Sequence, residues 1–146
     1  MAELQAAAGT KPLQCVVVTP ERAVLDEPAD FVVLPMYDGE LGVLPGRAAL
    51  IGRLGYGELR VRNGHQTQHF YVDGGFAQVR DNVVTVLTGK AVPAADISAD
   101  AARQALQAAL KPATGEALEA ALKQQARARA QLRMANSAST QAGGNH

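Results

Sequence analysis

The chain has 146 residues, of which 47% are hydrophobic and 4% aromatic, and its formal net charge at pH 7 is zero. This length fits one domain with a sizeable core, or a small domain with an appendage. Zero net charge argues against a protein that coats nucleic acid. No window approaches the run of about 18 apolar residues that a membrane span needs. Alanine supplies much of the hydrophobic fraction, so the core is expected to come from Val, Leu and the three Phe residues.

The beginning of the chain predicts a disordered segment over residues 1–12. This segment has neither the basic region nor the apolar run of a signal or transit peptide. Cys15 is the only cysteine, which rules out an intrachain disulfide and favours a reducing compartment. Its neighbours Val16, Val17 and Val18 predict a buried, unreactive thiol.

Residues 13–92 predict an antiparallel β-sandwich, or flattened barrel, because short β segments alternate with turn residues. The clearest strands are Val16–Thr19, Asp30–Leu34, Glu58–Arg62, Phe70–Val72, Phe76–Arg80 and Val83–Leu87. Between the last two, Asp81-Asn82 predicts a hairpin turn that pairs Val79 with Val84.

Asn63-Gly64 predicts another two-residue hairpin turn, which pairs Val61 with Gln66 and leaves glutamines opposite apolar residues. The same hairpin contains His65 and His69. Side chains four residues apart on a strand share a face but lie roughly 13 Å apart. One metal ion cannot bridge them, so we expect exposed histidines and no metal site.

Residues 93–137 predict an antiparallel helical hairpin, because good helix formers dominate after Val92-Pro93. Ser98 is the expected N-cap of a first helix that ends near Leu110. Thr114 is the expected N-cap of a second helix that ends near Ala135. Residues 138–146 predict a disordered tail.

The apolar stripe of the hairpin is weak. The expected stripe of the first helix consists of Ala99, Ala102, Leu106, Ala109 and Leu110. In the second helix, Leu118 and Leu122 are followed only by alanine until Leu132. Because burial of alanine stabilises far less than burial of leucine, the hairpin is expected to dock loosely and to move.

Catalytic patterns are missing from the sequence. Gly52, Gly55 and Gly57 resemble a phosphate loop, but no Lys-Ser/Thr follows and the context is strand, turn, strand. Asp38 and Glu40 are paired carboxylates in a turn with no base or nucleophile near them in sequence. They predict an acidic loop that offers charge to a basic partner, not a catalytic site.

Arg127, Arg129 and Arg133 predict a positive face near the C-terminal end of the second helix. Two interpretations remain equally open. The arginines either form a solvated face that is favourably placed in the helix dipole, or they bind an acidic protein surface.

The chain resembles the epsilon subunit of bacterial and plastid F-type ATP synthases from about Leu13 to Ala135. The matching segments are LQCVVVTPER (13–22), LPMYDGELGVLPG (34–46), LGYGELRV (54–61), VDGGFAQVRDNVVTVL (72–87) and AQLR (130–133). In this order, ahead of an alanine-rich helical hairpin, these segments are strongly specific for that family.

The resemblance implies a non-catalytic rotor subunit without cofactors that helps couple proton flow to ATP synthesis. The β-sandwich would bind the gamma subunit and, at its base, the membrane c-ring. The helical hairpin would either fold against the sandwich or extend into the alpha/beta catalytic head, where it slows ATP hydrolysis. The protein would be peripheral, on the cytoplasmic face of the bacterial inner membrane, and would reach the membrane only through the complex.

The resemblance also assigns interface residues. Glu40, flanked by Tyr37 and Asp38, would face the c-ring. Arg47 belongs to the same expected interface, although Gly46-Arg47-Ala48-Ala49 stands where the family commonly has Gly-His-Ala-Pro. The three helix arginines would approach acidic residues of the catalytic head.

ATP binding is expected to be absent or very weak. The ATP-sensing members of this family carry Ile/Leu-Asp-x-x-Arg-Ala at the start of the first helix. The corresponding segment, Ile97-Ser98-Ala99-Asp100-Ala101-Ala102, lacks both the acid and the arginine. The alternative function is a free-standing, small-ligand-binding β-sandwich with a helical lid, and an isolated chain that binds a small molecule saturably would favour it.

Overall fold

The structure is a computed structural model that describes residues 11–144, with side chains described as far as residue 136. Of the segment predicted to be disordered at the N-terminus, only Lys11 and Pro12 lie within this part. The chain divides into two compact units, one ending at Ala91 and the other beginning at Val92. The predicted order, a β-sandwich followed by a helical hairpin, is confirmed.

The β-sandwich is built from one continuous sheet with the strand order β2-β1-β7-β6-β5-β3-β4, and β8 pairs with β6. Strands β1 and β7 run parallel to each other, whereas β5 and β6 form an antiparallel pair. The strands are β1 (Leu13–Val18), β2 (Ala23–Ala29), β3 (Phe31–Met36), β4 (Gly39–Val43), β5 (Leu50–Asn63), β6 (Gln66–Arg80), β7 (Val83–Leu87) and β8 (Ala91–Pro93).

Strands β5 and β6 are much longer than the sequence predicted. Phe70–Val72 and Phe76–Arg80, predicted as two strands, belong to the single strand β6. β5 begins at Leu50, well before the predicted start at Glu58. Residues 54–62 of β5 pair with β3, whereas residues 76–80 of β6, at the end away from the β5–β6 turn, pair with β7. Since the two segments serve different neighbours, these strands carry the sheet from one layer of the sandwich to the other.

The glycines of β5 do not end the strand, because they permit close approach of β3. A Cβ added at Gly57 would lie 3.0 Å from the Cβ of Pro35, and one at Gly55 would lie 3.3 Å from the carbonyl oxygen of Met36. Contacts at these distances are tight for a real Cβ. Close packing of two strands therefore explains the glycines that resembled a phosphate loop.

One predicted hairpin is confirmed and the other is wrong in register. Around Asp81-Asn82 both turn residues have positive φ, 52° and 66°, and Val79 pairs with Val84 as predicted. In the β5–β6 hairpin the turn residues are Gly64 and His65 instead, with positive φ at Gly64. Positive φ at only the first turn position is the pattern of a type II′ turn.

The register of β5 and β6 removes part of the mismatch between glutamines and apolar residues that the sequence predicted. Leu59 pairs with Phe70, and both side chains are buried. Val61 pairs with Gln68, and the exposed Gln66 lies opposite Asn63 at the end of the hairpin. Two apolar side chains therefore face each other at the Leu59–Phe70 pair, whereas Val61 still lies opposite a half-buried glutamine.

The core of the sandwich consists mostly of Val and Leu, as predicted, but it does not take all three Phe residues. Phe70 is buried, whereas Phe76 is 56% exposed. Residues of β1 alternate between buried and half-buried, which is the two-residue period of a strand with one face on the core. The largest fully buried side chains are those of Leu13, Val17, Val32, Leu34, Val43, Leu59, Val61, Tyr71, Val72, Val79, Val84 and Val86.

The second unit contains helix α1 (Ala99–Ala109) and helix α2 (Gly115–Gly144), preceded by a short 3-10 turn, Ala94–Asp96. Ser98 caps α1 as predicted, since its hydroxyl oxygen accepts a hydrogen bond from the backbone N–H of Ala101 at 3.1 Å. At the start of α2, the backbone carbonyl of Thr114 accepts from the N–H of Leu118. The amide nitrogen of Gln125 donates to the carbonyl of Ala109, which ties the two helices together.

Two expectations about the helices are corrected. α2 continues to Gly144, past the end predicted near Ala135, so the tail predicted as disordered over 138–146 is helical as far as Gly144. Residues 145–146 lie outside the described part. Leu110, assigned to the apolar stripe of α1, is 53% exposed, whereas Ala102 and Ala109 are buried. In α2, Leu118 and Leu122 are also exposed, at 42% and 53%.

Candidate functional site

The turn between β3 and β4 presents Tyr37 and Asp38 to solvent. Tyr37 is 68% exposed, and the guanidinium of Arg53 lies 4.4 Å from the centroid of its ring. The backbone N–H of Tyr37 donates to the carbonyl of Arg53 at 2.8 Å. An arginine over an exposed aromatic ring contributes about 0.5–1 kcal/mol. Arg53 therefore holds the ring of Tyr37 in place, a contact that the sequence did not reveal.

Glu40, at the start of β4, belongs to a chain of charged side chains that crosses the sheet. Arg60 Nη2 lies 3.4 Å from Glu40 Oε1, and Arg60 Nη1 lies 3.2 Å from Glu58 Oε1. Glu58 Oε2 lies 2.9 Å from Nδ1 of His69. Arg60 lies directly opposite Val33 of β3 and His69 of β6.

This charged chain was missed at the sequence level because its members meet only through strand register. Glu40 keeps 57% of its side chain exposed, whereas Glu58 and His69 keep 22% and 24%. The expectation that His69 is an exposed histidine is therefore wrong, although His65 is exposed as predicted. Glu40 is left as the member of the chain that is most accessible to a partner.

Arg47 does not join Tyr37, Asp38 and Glu40. It lies in the loop of residues 44–49, which follows β4, whereas Tyr37 and Asp38 precede that strand. The expected interface residues are thus separated by the length of a five-residue strand, roughly 16 Å. Gly46, next to Arg47, donates its backbone N–H to Oδ1 of Asn82 at 2.8 Å. The 44–49 loop is therefore fixed to the β6–β7 turn.

Four large apolar side chains project outward from neighbouring strands. Phe76 of β6 lies opposite Leu87 of β7, and the adjacent pair, Ala77 and Val86, is buried on the other side of the sheet. We call these four residues the apolar face, and they are Ile51 (74% exposed), Phe76 (56%), Val83 (38%) and Leu87 (52%). On the same face, the paired residues Gln78 and Thr85 lie between Phe76–Leu87 and Val83, so the four apolar side chains share the face with polar ones. Large exposed apolar side chains on one face are typical of a protein interaction site. The sequence analysis assigned no role to these residues.

The three helix arginines do not form one face. Arg129 and Arg133 are four residues apart, share a side of α2 and are both exposed. Arg127 is half-buried and points to another side of the helix. Because α2 continues to Gly144, these residues also lie in mid-helix, where the helix dipole contributes little. The predicted positive face is therefore reduced to Arg129 and Arg133.

Cys15 is fully buried, as predicted. Burial, and then the nearby carboxylates of Glu27 and Asp26, raises the pKa of its thiol to about 12. A thiol with so high a pKa is protonated at neutral pH and is a poor nucleophile. Cys15 therefore belongs to the core and not to a reactive site.

Within residues 11–144, no three His, Cys, Asp or Glu side chains gather into a group that could hold a metal ion. No helix in the same range has the length and apolar character to cross a membrane. The surface features described above are an acid-bearing turn, a loop that is bonded to Asn82 and an exposed apolar face.

Comparison with known proteins identifies relatives of this chain. Residues 12–94 match the model of the beta-sandwich domain of the ATP synthase Delta/Epsilon chain. The ATP synthase epsilon chain of Rhodopirellula baltica is 54% identical over 123 residues, which cover 83% of this chain and 96% of that relative. The epsilon chain of Nitratidesulfovibrio vulgaris is 44% identical over 95 residues, or 65% of this chain and 71% of that relative.

A similar chain occurs in the cryo-EM structure of the Euglena gracilis mitochondrial ATP synthase, OSCP/F1/c-ring. The TM-score is 0.72 with 28% sequence identity, and the match covers 83% of this chain and 81% of that chain. The family model spans more than half of the described sequence, and the Rhodopirellula relative is matched over almost its whole length. The chain therefore belongs to the epsilon-chain family of ATP synthases, as a non-catalytic subunit.

Proposed function

We propose that this epsilon chain is a rotor subunit of the central stalk, which helps couple proton flow through the c-ring to ATP synthesis. The observation that carries the proposal is the apolar face, Ile51, Phe76, Val83 and Leu87, exposed on a domain whose core is already complete. Removing apolar surface from water favours association by about 25 cal/mol for each Å², and the freedom that the partners lose on binding offsets part of this gain. The partner proposed for this face is the gamma subunit.

The acid-bearing turn is the proposed contact with the c-ring. Glu40 is more than half exposed, and Tyr37 and Asp38 are exposed beside it. Because the turn and the 44–49 loop lie at opposite ends of β4, Arg47 is assigned to the gamma side and not to the c-ring. Charged contacts of this kind steer association and weaken with salt.

The helical hairpin is proposed to act as a regulatory arm that reaches the alpha/beta catalytic head and slows ATP hydrolysis. Leu118 and Leu122 of α2 are exposed, and the buried side chains of α1 are alanines. Exposed leucines leave apolar surface for a partner. Among the described residues of the two helices, Met134 is the one large apolar side chain that is buried beside the alanines, and packing that is mostly alanine supplies little energy to hold the arm in one place. Arg129 and Arg133 are the proposed contacts with acidic residues of the head.

ATP binding by this subunit is proposed to be absent or very weak, because Ser98 and Ala101 occupy the positions of the family's acid and arginine. The proposed location is the cytoplasmic face of the bacterial inner membrane, reached through the complex. Only the second of these statements depends on the subunit's place in the ATP synthase. Calorimetric titration of the isolated chain with ATP tests the first, and micromolar affinity would overturn it.

Pull-down from membranes tests the proposed function as a whole. The tagged chain should recover gamma and c subunits after solubilisation in mild detergent. Phe76→Glu (56% exposed) should prevent this recovery by placing a charge in the apolar face. Leu110→Glu, at a similarly exposed apolar site (53%) directly after α1, should not. Recovery of no ATP synthase subunit by the wild-type chain, together with saturable binding of a small molecule, would favour a free-standing ligand-binding sandwich.

Truncation tests the regulatory arm separately. A chain ending at residue 97 keeps all eight strands and should assemble normally. ATP hydrolysis by the assembled complex should rise, because the arm that slows it is gone. Loss of assembly in the truncated chain would make the hairpin a structural element and contradict a regulatory role.

A further inference from the structure

Asn82 connects three separate segments of the sandwich. Its side-chain oxygen Oδ1 accepts a hydrogen bond from the backbone N–H of Gly46 at 2.8 Å. Its backbone carbonyl accepts from the N–H of Gln14 at 2.8 Å. Its side-chain nitrogen Nδ2 donates to the carbonyl of Lys11 at 3.5 Å. One turn residue therefore fixes both the start of β1 and the 44–49 loop.

The 44–49 loop has few other attachments. Its internal hydrogen bond, from the N–H of Arg47 to the carbonyl of Leu44, is 3.2 Å long. In the described part of the chain, the bond to Asn82 is the one hydrogen bond that joins this loop to a distant segment. Leu44 is 57% exposed, so side-chain burial does not hold the start of the loop either.

The position of the loop matters because it borders the apolar face. Ile51 follows the loop by two residues, and Val83 follows Asn82 directly. Fixing Gly46 to Asn82 thus brings together the ends of the two segments that carry Ile51 and Val83. The loop that this bond fixes carries an exposed apolar side chain, Leu44, and an exposed cation, Arg47.

We propose that Asn82 is a positioning residue, which holds the 44–49 loop beside the apolar face so that the stalk partner meets a preformed surface. This inference rests on the proposed function, since the partner is the central stalk. A loop that is already ordered does not have to lose conformational freedom on binding. Without the bond to Asn82, Leu44 and Arg47 are ordered only when the partner binds, and affinity falls.

The turn supplies matched variants. Asn82 has a φ of 66°, so Asn82→Gly keeps a residue that favours this backbone and removes only the side chain. Asn82→Asp keeps an oxygen acceptor for Gly46 and tolerates positive φ. Asp81→Gly is the control in the same turn, because Asp81 has a φ of 52° and its nearest charged partner, Arg80, is 3.8 Å away at an exposed position.

The first measurement is hydrogen exchange at the Gly46 amide in the full chain. Asn82→Gly should accelerate exchange by about tenfold or more, because the acceptor of this N–H is lost. Asn82→Asp and Asp81→Gly should exchange at nearly the wild-type rate. Unchanged exchange in Asn82→Gly would overturn the inference, since the hydrogen bond would then not hold the loop.

The second measurement is affinity for ATP synthase depleted of its epsilon chain. Asn82→Gly should bind about threefold to tenfold more weakly, whereas Asn82→Asp should bind like the wild type. Arg47→Ala should weaken binding of the wild-type chain but have little further effect in Asn82→Gly, because the loop is then no longer placed. A purely structural role for Asn82 would leave the effect of Arg47→Ala unchanged.

The outcomes separate the inference from the proposed function. If Asn82→Gly exchanges the Gly46 amide faster but binds the depleted complex with wild-type affinity, the inference is overturned and the proposed function is not. Equal effects of Arg47→Ala in the two backgrounds also overturn the inference. Failure of the wild-type chain to bind the depleted complex overturns the proposed function, and the inference with it.

Discussion

The Cα of Gly75 faces the carbonyl oxygen of Leu87, and a Cβ added at Gly75 would overlap that oxygen. Gly75 also has a φ of 107°, a backbone conformation that residues with a side chain rarely adopt. β6 makes its close approach to the end of β7 at this point. Gly75, the second glycine of the VDGGF segment, is thus a packing requirement of the sandwich.

Gly75→Ala should therefore destabilise the fold severely, by about 2–4 kcal/mol. Gly74→Ala provides the matched comparison, because Gly74 also has positive φ but the nearest atom to an added Cβ is 3.5 Å away. Backbone strain alone predicts a cost of about 1–2 kcal/mol there. Urea denaturation of both variants measures the two values, and equal costs would show that the Leu87 carbonyl does not exclude a side chain.

The buried thiol of Cys15 should make the fold less stable as the pH rises above 9. Its pKa is raised from 9.0 to about 12 in the folded chain, chiefly by burial. The contribution of the buried thiol to the free energy of unfolding is fully present below pH 9. It is lost as the pH rises towards 12, because only the unfolded chain then releases the thiol proton. The slope approaches about 1.4 kcal/mol per pH unit.

Denaturation at several pH values compares the wild type with Cys15→Ala. The difference in stability between the two chains should shrink between pH 9 and 12, since other groups that titrate in this range are common to both. A difference that stays constant over this interval would mean that the thiol is not buried in the folded chain. Thiol-reactive reagents should likewise label the native chain only slowly.

Arg60 binds two acids that differ in exposure, and its coupling to them should differ accordingly. Its pair with Glu58, whose side chain is 22% exposed, should contribute about 1 kcal/mol, whereas its pair with the 57% exposed Glu40 should contribute about 0.3 kcal/mol. Double-mutant cycles that use Arg60→Gln, Glu58→Gln and Glu40→Gln measure both couplings.

Arg62 provides the control for these cycles. Its guanidinium lies 5.2 Å from the centroid of the Phe31 ring, and no ion pair of Arg62 occurs among the described residues. Arg62→Gln and Glu40→Gln should therefore be additive. A Glu40–Arg60 coupling as strong as the Glu58–Arg60 coupling would mean that Glu40 is held tightly, which would contradict its proposed availability to the c-ring.

The sequence predicted the elements that short-range chemistry determines. The Asp81-Asn82 turn was correct because both residues adopt the positive φ that a type I′ hairpin turn needs. Ser98 was correct because an N-cap satisfies a free N–H of its own helix. The prediction of a turn at Asn63-Gly64 was wrong by one residue. Asn63 is the last residue of β5, and Gly64 and His65 form the turn.

The chain of charged side chains and the hydrogen bond between Asn82 and Gly46 could not be predicted from the sequence, because they depend on strand register and on long-range packing. His69 meets Glu58, and Asn82 meets Gly46, only after β5, β6 and β7 have paired. The glycines of β5 misled the prediction for the same reason, since they serve the approach of β3. The resemblance to a known family identified the role of the chain but not these contacts, nor the separation of Arg47 from Glu40.

The most direct test of the account is the number of protons pumped per ATP hydrolysed by membrane vesicles that contain ATP synthase lacking its epsilon chain. Addition of the purified wild-type chain should raise this ratio, because a rotor adaptor joins ATP hydrolysis to rotation of the c-ring. Addition of Phe76→Glu, which carries a charge in the apolar face, should leave it low. A ratio that the wild-type chain does not change would contradict the proposal that it couples proton flow to ATP synthesis.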